Sequence, residues 1–285
     1  MLTFIKPFSK CEVTVFNQPF VYGYIDDFIP ADIYAQLEAS FLDPTKSENM
    51  QVFKHGKNRT VFVAPPAPLE IPADSPWMEL IKQITSATYM EDCLQWIQKR
   101  YAESKPDLDN LYTKMMMSRF DIDKNELKMQ CEFSTLENST YLESHTDAEN
   151  KFMSCILYLA QPEWQDSWGG ATEVYRAKNS TYADNWDNRH LPNEQMELIA
   201  NCHFRPNRLF FFVKSQDSWH GLSPIVSPPG VQRRTFNFSM MASHAAFDKT
   251  PISLYQRQIS KHEAKVFKDG TLKRIFRKLS ILLKG

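Results

Sequence analysis

The sequence lacks any pair of cysteines at redox or zinc-binding spacing. Its five cysteines, Cys11, Cys93, Cys131, Cys155 and Cys202, are scattered and odd in number. This argues against a disulfide framework or a cysteine zinc site and favours a reducing compartment. No apolar run approaches the roughly 20 residues that span a bilayer. The opening MLTFIKPFSK lacks the apolar core of a signal peptide. A cytoplasmic protein is therefore expected. A net charge of −1 gives no global field toward nucleic acid, so no nucleic-acid partner is expected either. Internal repeats and low-complexity tracts are absent.

What is present is an ordinary globular composition, 42% hydrophobic and 24% charged over 285 residues. A chain of this length can bury roughly three quarters of its unfolded surface. Residues 11–29 read as a hairpin. Residues 29–43 read as a helix that starts at Pro30 and carries Ile33, Leu37 and Phe41 at helical spacing. Residues 44–75 are rich in Pro, Lys and Asn, with one strand-like piece, TVFVA, at 60–64. Residues 75–102 predict one or two helices, with Ser75 as cap and Pro76 at the first helical position.

From about residue 111 the pattern changes to short β-prone runs divided by Asn, Gly, Pro and Asp. These are YTKMMMSRFDI, LKMQCEFSTL, KFMSCILYLA, ATEVYRA, QMELIANCHF, NRLFFFVK and RRTFNFSMMAS. Such strands after a helical half predict an α+β fold, a β-sandwich or jelly roll flanked by helices. The expected organisation is N-terminal support over 1–110, a jelly-roll core over 111–245 and a helical tail over 246–285. A polar excursion at 176–194, with Tyr182 and Trp186, has the length of a binding mouth. In the tail, 271–285 keeps helical spacing of Leu272, Ile275, Phe276 and Leu279, with basic Lys273, Arg274, Arg277 and Lys278 and no acid. It predicts an amphipathic helix, docked on its own domain or touching an anionic membrane surface or partner.

Four stretches carry chemistry. In YLESHTDAEN, His145 and Asp147 stand two apart ahead of an apolar run. A lone His-x-Asp is weak. In NRLFFFVKSQDSWHGLSP, a Phe-rich strand leads through a polar turn to His220. Two histidines and one carboxylate make a facial triad with open metal positions, which suits non-haem iron(II) oxygenases. A zinc hydrolase uses the same donors, so the triad alone does not decide. In VQRRTFNFSM, Arg233, Thr235 and Asn237 share one strand face, and Arg234, Phe236 and Phe238 the other. If the Arg233 face is buried, its guanidinium needs an anionic partner, and a carboxylate fits. The glycines of WGGATEVY permit a bulge or a close backbone approach.

Together these pieces resemble the Fe(II)- and 2-oxoglutarate-dependent dioxygenases, in their prolyl-hydroxylase-like branch. The order matches: H-x-D, a strand with a Tyr-Leu end, Gly-Gly, a Phe-rich strand, W-H followed by SPI, then R-x-T. The match spans about residues 119–243. It implies a double-stranded β-helix, with His145, Asp147 and His220 as iron ligands. It implies that Arg233 and Thr235, helped by Tyr158, hold the distal carboxylate of 2-oxoglutarate. Iron(II), 2-oxoglutarate and O2 are the implied cofactor and cosubstrates, with ascorbate as reductant. The implied reaction hydroxylates a substrate C–H bond and releases succinate and CO2. Halogenases of this family lack the carboxylate that Asp147 supplies, which favours hydroxylation.

The excursion suits a saccharide, and the basic tail suits an enzyme acting on a lipid-linked molecule at the inner membrane face. Length, dioxygenase half and tail resemble bacterial envelope-glycan enzymes, including the hydroxylase of Kdo, the octulosonic sugar of lipopolysaccharide. Alternatives are a protein or prolyl hydroxylase and a metal-binding jelly roll without catalysis.

Overall fold

The computed structural model describes residues 4–46, 51–53, 57–60, 71–104, 111–178 and 190–253. Tyr182, Trp186 and the 271–285 tail lie outside them. Two antiparallel sheets face each other. The strands are β1 (Thr14–Phe16), β2 (Tyr22–Ile25), β3 (Gln51–Phe53), β4 (Lys57–Thr60), β5 (Leu127–Leu136) and β6 (Leu142–His145). They continue as β7 (Lys151–Tyr158), β8 (Thr172–Ala177), β9 (Met196–Cys202), β10 (Leu209–Val213), β11 (His220–Leu222) and β12 (Arg233–Ala242). The large sheet runs β1-β2-β10-β7-β12-β5-β4-β3 and the small sheet β6-β11-β8-β9. From β5 onward the chain alternates between the sheets, except that β8 and β9 pair as consecutive neighbours in the small one, and β12 closes between β5 and β7. This is the double-stranded β-helix, a jelly roll.

Helices cover the outer face of the large sheet. α1 (Ala31–Ala39), α2 (Pro76–Ile84) and α3 (Ala87–Ser104) form where the apolar spacing predicts them. The Ser75 side chain accepts a hydrogen bond from the Trp77 amide, and Pro76 takes the first helical position. Trp77 is fully buried on Phe133 and Phe236, with ring centroids 4.8 and 5.1 Å away. Its indole N–H donates to the Leu37 and Ser40 carbonyls at 3.1 and 3.0 Å, joining α1 to α2. Phe8, Trp96 and Phe211 form a second edge-to-face cluster under α3.

One expectation is corrected. YTKMMMSRFDI is not a strand: α4 spans Leu111–Ser118 and a 3-10 turn follows at Arg119–Asp121. Its run of methionines has neither alternation nor β-branching, and Met is a good helix former. The strand expected at 60–64 ends at Thr60 in β4, and 61–64 lie outside the described residues. The polar alternation of β12 is resolved by the packing. Phe236 and Phe238 join the core under the helices, so Arg233, Thr235 and Asn237 point between the sheets.

Candidate active site

The inner face of the large sheet is laid out in rows by strand register. Arg233 stands opposite Leu136, and Thr235 opposite Ser134 and Tyr158. Asn237 stands opposite Glu132 and Ile156, and Ser239 opposite Gln130 and Ser154. This face and the small sheet enclose a cavity of about 610 Å³.

At one end of the cavity, β6 and β11 pair so that His145 and His220 are direct cross-strand partners. Their ring centroids are 4.3 Å apart. Asp147 follows β6 in a turn with a left-handed φ of 68°, which aims its carboxylate back at both rings. Its Oδ1 lies 3.4 Å from His145 Nε2 and 3.9 Å from His220 Nε2. One donor atom from each of the three lies within 4.8 Å of the others.

The remaining atoms of these side chains are occupied. His145 Nδ1 lies 3.1 Å from the Glu143 carbonyl, and His220 Nδ1 lies 3.0 Å from the Ser218 carbonyl. A carbonyl only accepts, so each Nδ1 carries the proton and each Nε2 presents its lone pair. Asp147 Oδ2 accepts from Lys151 Nζ at 3.1 Å and from Ser154 Oγ at 2.9 Å. Ser239 Oγ in turn donates to Ser154 Oγ at 3.3 Å. Oδ1 is left to act as a single-oxygen ligand.

The charges suit a cation. Burial would raise the Asp147 pKa, but the Lys151 ammonium and the two imidazoles outweigh it and hold the carboxyl well below its ordinary value. Burial, then the neighbouring His145, pushes His220 down to about 3. His220 is thus neutral at pH 7, the form that binds metal. Two imidazole nitrogens and one monodentate carboxylate are the donors that non-haem iron(II) takes on one face, so the residues fit that ion.

At the other end of β12, Arg233 is only 4% exposed. Its Nε donates to the Gly170 carbonyl at 2.6 Å. The guanidinium carbon lies 5.2 Å from the Tyr158 ring centroid and 4.8 Å from that of Phe204. Among the described residues no carboxylate stands within ion-pair distance of it. Gly169 and Gly170 both have φ of 72°, and a Cβ on Gly170 would stand 3.1 Å from Arg233 Cδ. The paired glycines therefore make room for the arginine.

His145, Asp147, His220, Arg233 and Thr235 all line this one cavity. Tyr158 is buried beside Arg233, directly opposite Thr235. Its hydroxyl is hydrogen-bonded to Thr172 Oγ1 at 2.6 Å, and Thr172, not Tyr158, lines the cavity. Sequence reading missed Thr172, Lys151, Ser154 and Lys214, whose roles emerge only from cross-strand register. It also set aside His190, whose ring stacks on His145 at 4.8 Å and 5°.

Comparison with known proteins follows the same boundary. Residues 131–240, from β5 to β12, match the 2OG-Fe(II) oxygenase superfamily. This match and the His145–Asp147–His220 donor set support a 2-oxoglutarate-dependent non-haem iron dioxygenase, which uses iron(II), 2-oxoglutarate and O2. No curated protein matches the chain. Similar solved structures include a Pseudomonas putida prolyl-4-hydroxylase, with TM-score 0.42 and 12% identity, covering 78% of this chain and 92% of that one. Another is a Trichoplax adhaerens prolyl hydroxylase in complex with a hypoxia inducible factor peptide fragment, with TM-score 0.43 and 12% identity, covering 78% and 83%. The epimerase SnoN from nogalamycin biosynthesis has TM-score 0.42 and 13% identity, covering 81% and 85%.

Proposed function

We propose that this dioxygenase hydroxylates a C–H bond of a saccharide, with a lipid-linked sugar of the Kdo type as the specific candidate. The observation that carries the chemistry is the convergence of His145 Nε2, Asp147 Oδ1 and His220 Nε2 at one end of a cavity whose other end holds Arg233. Bound iron(II), with 2-oxoglutarate and O2, supplies the oxidising power that inserts one oxygen atom and leaves succinate and CO2.

The chain's own residues do the rest. Both imidazoles are locked in one tautomer by their backbone carbonyl partners. Lys151 and Ser154 fix the Asp147 carboxylate through its outer oxygen. Arg233, buried with no carboxylate at ion-pair distance among the described residues, would receive the distal carboxylate of 2-oxoglutarate, with Thr235 beside it. Tyr158 holds the guanidinium against one ring face and keeps its hydroxyl on Thr172. The saccharide reading is supported by the hydrogen-bonding groups along the cavity wall. The basic 271–285 segment would hold the enzyme to the anionic inner face of a membrane, which keeps the protein cytoplasmic. Deleting 271–285 and measuring sedimentation with anionic vesicles tests that attachment.

The decisive experiment incubates the protein with iron(II), ascorbate, 2-oxoglutarate and a Kdo-terminated glycolipid, and follows succinate and product mass. One added oxygen on the sugar is expected in the wild type, and no succinate in His145→Ala or Asp147→Ala. Full succinate formation in either variant would remove these residues from the iron. Oxygen added to a prolyl peptide and not to the sugar would replace the substrate class.

A further inference from the structure

We propose that Glu143 is a substrate-binding residue whose carboxylate accepts hydrogen bonds from two adjacent hydroxyls of the sugar. The inference rests on the saccharide reading above and adds where, and by which group, the sugar is held.

The carboxylates of the cavity wall differ in what they touch. Asp147 is held by Lys151 and Ser154. Glu132 accepts from Asn237 Nδ2 at 2.8 Å and has a further partner. Glu143 also lines the cavity, but among the described residues nothing donates to its carboxylate and no cation pairs with it. The residue is half-buried and its oxygens keep open surface. Its main-chain carbonyl, by contrast, is the partner of His145 Nδ1 at 3.1 Å, which ties the backbone at Glu143 to the donor set.

Position gives the carboxylate its use. Glu143 stands on β6 two residues before His145, and residues two apart in a strand share a face. At about 3.3 Å per residue, that is a step of roughly 7 Å from a candidate iron ligand. The same line continues to Tyr141, which is 43% exposed and also lines the cavity. Along the other edge of β6, the chain returns in register with Ser144. The Leu191 N–H donates to the Ser144 carbonyl at 2.9 Å, and Ser144 Oγ donates to the Leu191 carbonyl at 2.9 Å. That pairing sets His190 beside His145, with the two rings stacked. Tyr141 and His190 thus bring two rings to the part of the wall that holds Glu143.

Sugars are recognised by this mixture of groups. A carboxylate presents two oxygens in one plane and accepts from two neighbouring O–H donors at once. Ring faces receive the C–H surface between the hydroxyls. A half-buried carboxylate without donors weakens a fold, and a ligand that supplies them removes that penalty. Like charge keeps any acid group of the sugar away from Glu143.

The test titrates the methyl glycosides of Kdo, D-mannose and D-glucosamine into full-length protein holding iron(II) and 2-oxoglutarate without oxygen, read by saturation-transfer NMR. At least a tenfold loss of affinity for the Kdo or the mannose glycoside is expected in Glu143→Ala. A smaller loss is expected in Glu143→Gln, which keeps one acceptor oxygen and the side chain's shape. A change below twofold in both variants overturns the subsite alone. A glucosamine glycoside bound at least tenfold more tightly than the mannose one, with the gain lost in Glu143→Ala, makes the ligand a cation and overturns the hydroxyl assignment. The visible charge-transfer band of iron(II) with 2-oxoglutarate is recorded in parallel. Its loss from both variants makes Glu143 a support of the metal site and overturns the proposal. Its presence in a wild type that binds none of the glycosides sinks the saccharide reading and the subsite with it. Its absence from the wild type sinks the oxygenase site assignment.

Discussion

The buried ammonium of Lys214 donates to two successive main-chain carbonyls, those of Thr146 at 2.8 Å and Asp147 at 3.1 Å. Asp147 stands there with a φ of 68°, a conformation that a non-glycine residue holds only when its surroundings impose it. Lys214 is one of those surroundings, reaching across from the end of β10. Lys214→Met keeps the length and apolar stem but loses the donors. On the proposed ligand assignment it weakens iron(II) affinity about 10- to 100-fold, the size of effect seen when an outer support of a metal ligand is lost. Anaerobic iron titration measures it, and an unchanged affinity would show that the turn holds itself.

On the proposed cosubstrate assignment, Arg233→Met would leave the 2-oxoglutarate carboxylate facing an apolar chain. Breaking a buried charge pair costs about 3–5 kcal/mol, so the KM for 2-oxoglutarate should rise by about two to four orders of magnitude. Lysine does not rescue it, because a point charge cannot reproduce the planar fork. Gly170→Ala should act the same way more weakly. Its Cβ would crowd Arg233 Cδ at 3.1 Å and its φ of 72° disfavours any side chain. Steady-state kinetics in 2-oxoglutarate at saturating iron checks both.

Alkali should destabilise the protein through its buried thiols. Burial raises Cys131 from an ordinary 9.0 to about 12 in the folded state. A group whose pKa is higher when folded contributes stability that is complete below the unfolded value and is lost as pH rises through the folded one. Between pH 9 and about 12 the melting temperature should therefore fall, with Cys131 alone contributing a slope of about 1.4 kcal/mol per pH unit. Cys131→Ala should flatten that slope. An identical slope in the variant assigns the loss to other groups.

Phe133→Ala removes the ring on which Trp77 and Phe236 both pack. A fully buried phenylalanine truncated to alanine costs about 3–5 kcal/mol. The melting temperature should drop on the order of 10 °C. Because Phe133 faces away from the cavity, iron affinity of the folded fraction should change little by comparison. Calorimetry and metal titration on the same sample separate the two effects.

Much of this site could be read from the chain because its parts are chemically distinctive. His145, Asp147 and His220 are rare donors at recognisable positions, and Arg233 and Thr235 share a strand face by simple alternation. β5 and β12 are long enough for their pattern to fix their extent. β6 and β11 were not legible, since strands as short as Leu142–His145 and His220–Leu222 show no periodicity. Yet these two bring the histidines into register. Lys151, Ser154 and Lys214 look like ordinary polar residues until register sets them against Asp147. The methionine run of α4 misled because apolar content without a period does not distinguish helix from strand.

The large sheet continues past the jelly roll on both sides. β2 is laid along β10, and β4 along β5. Both outermost strands of the roll's large sheet thus have neighbours drawn from the first 60 residues. Excising 1–110 to isolate an enzyme half would strip two rows of main-chain donors and acceptors at once and create sticky, self-pairing borders. The amino-terminal half is therefore the hem of the barrel as well as its buttress. A shortened version should precipitate or self-associate even with His145, Asp147, His220 and Arg233 intact.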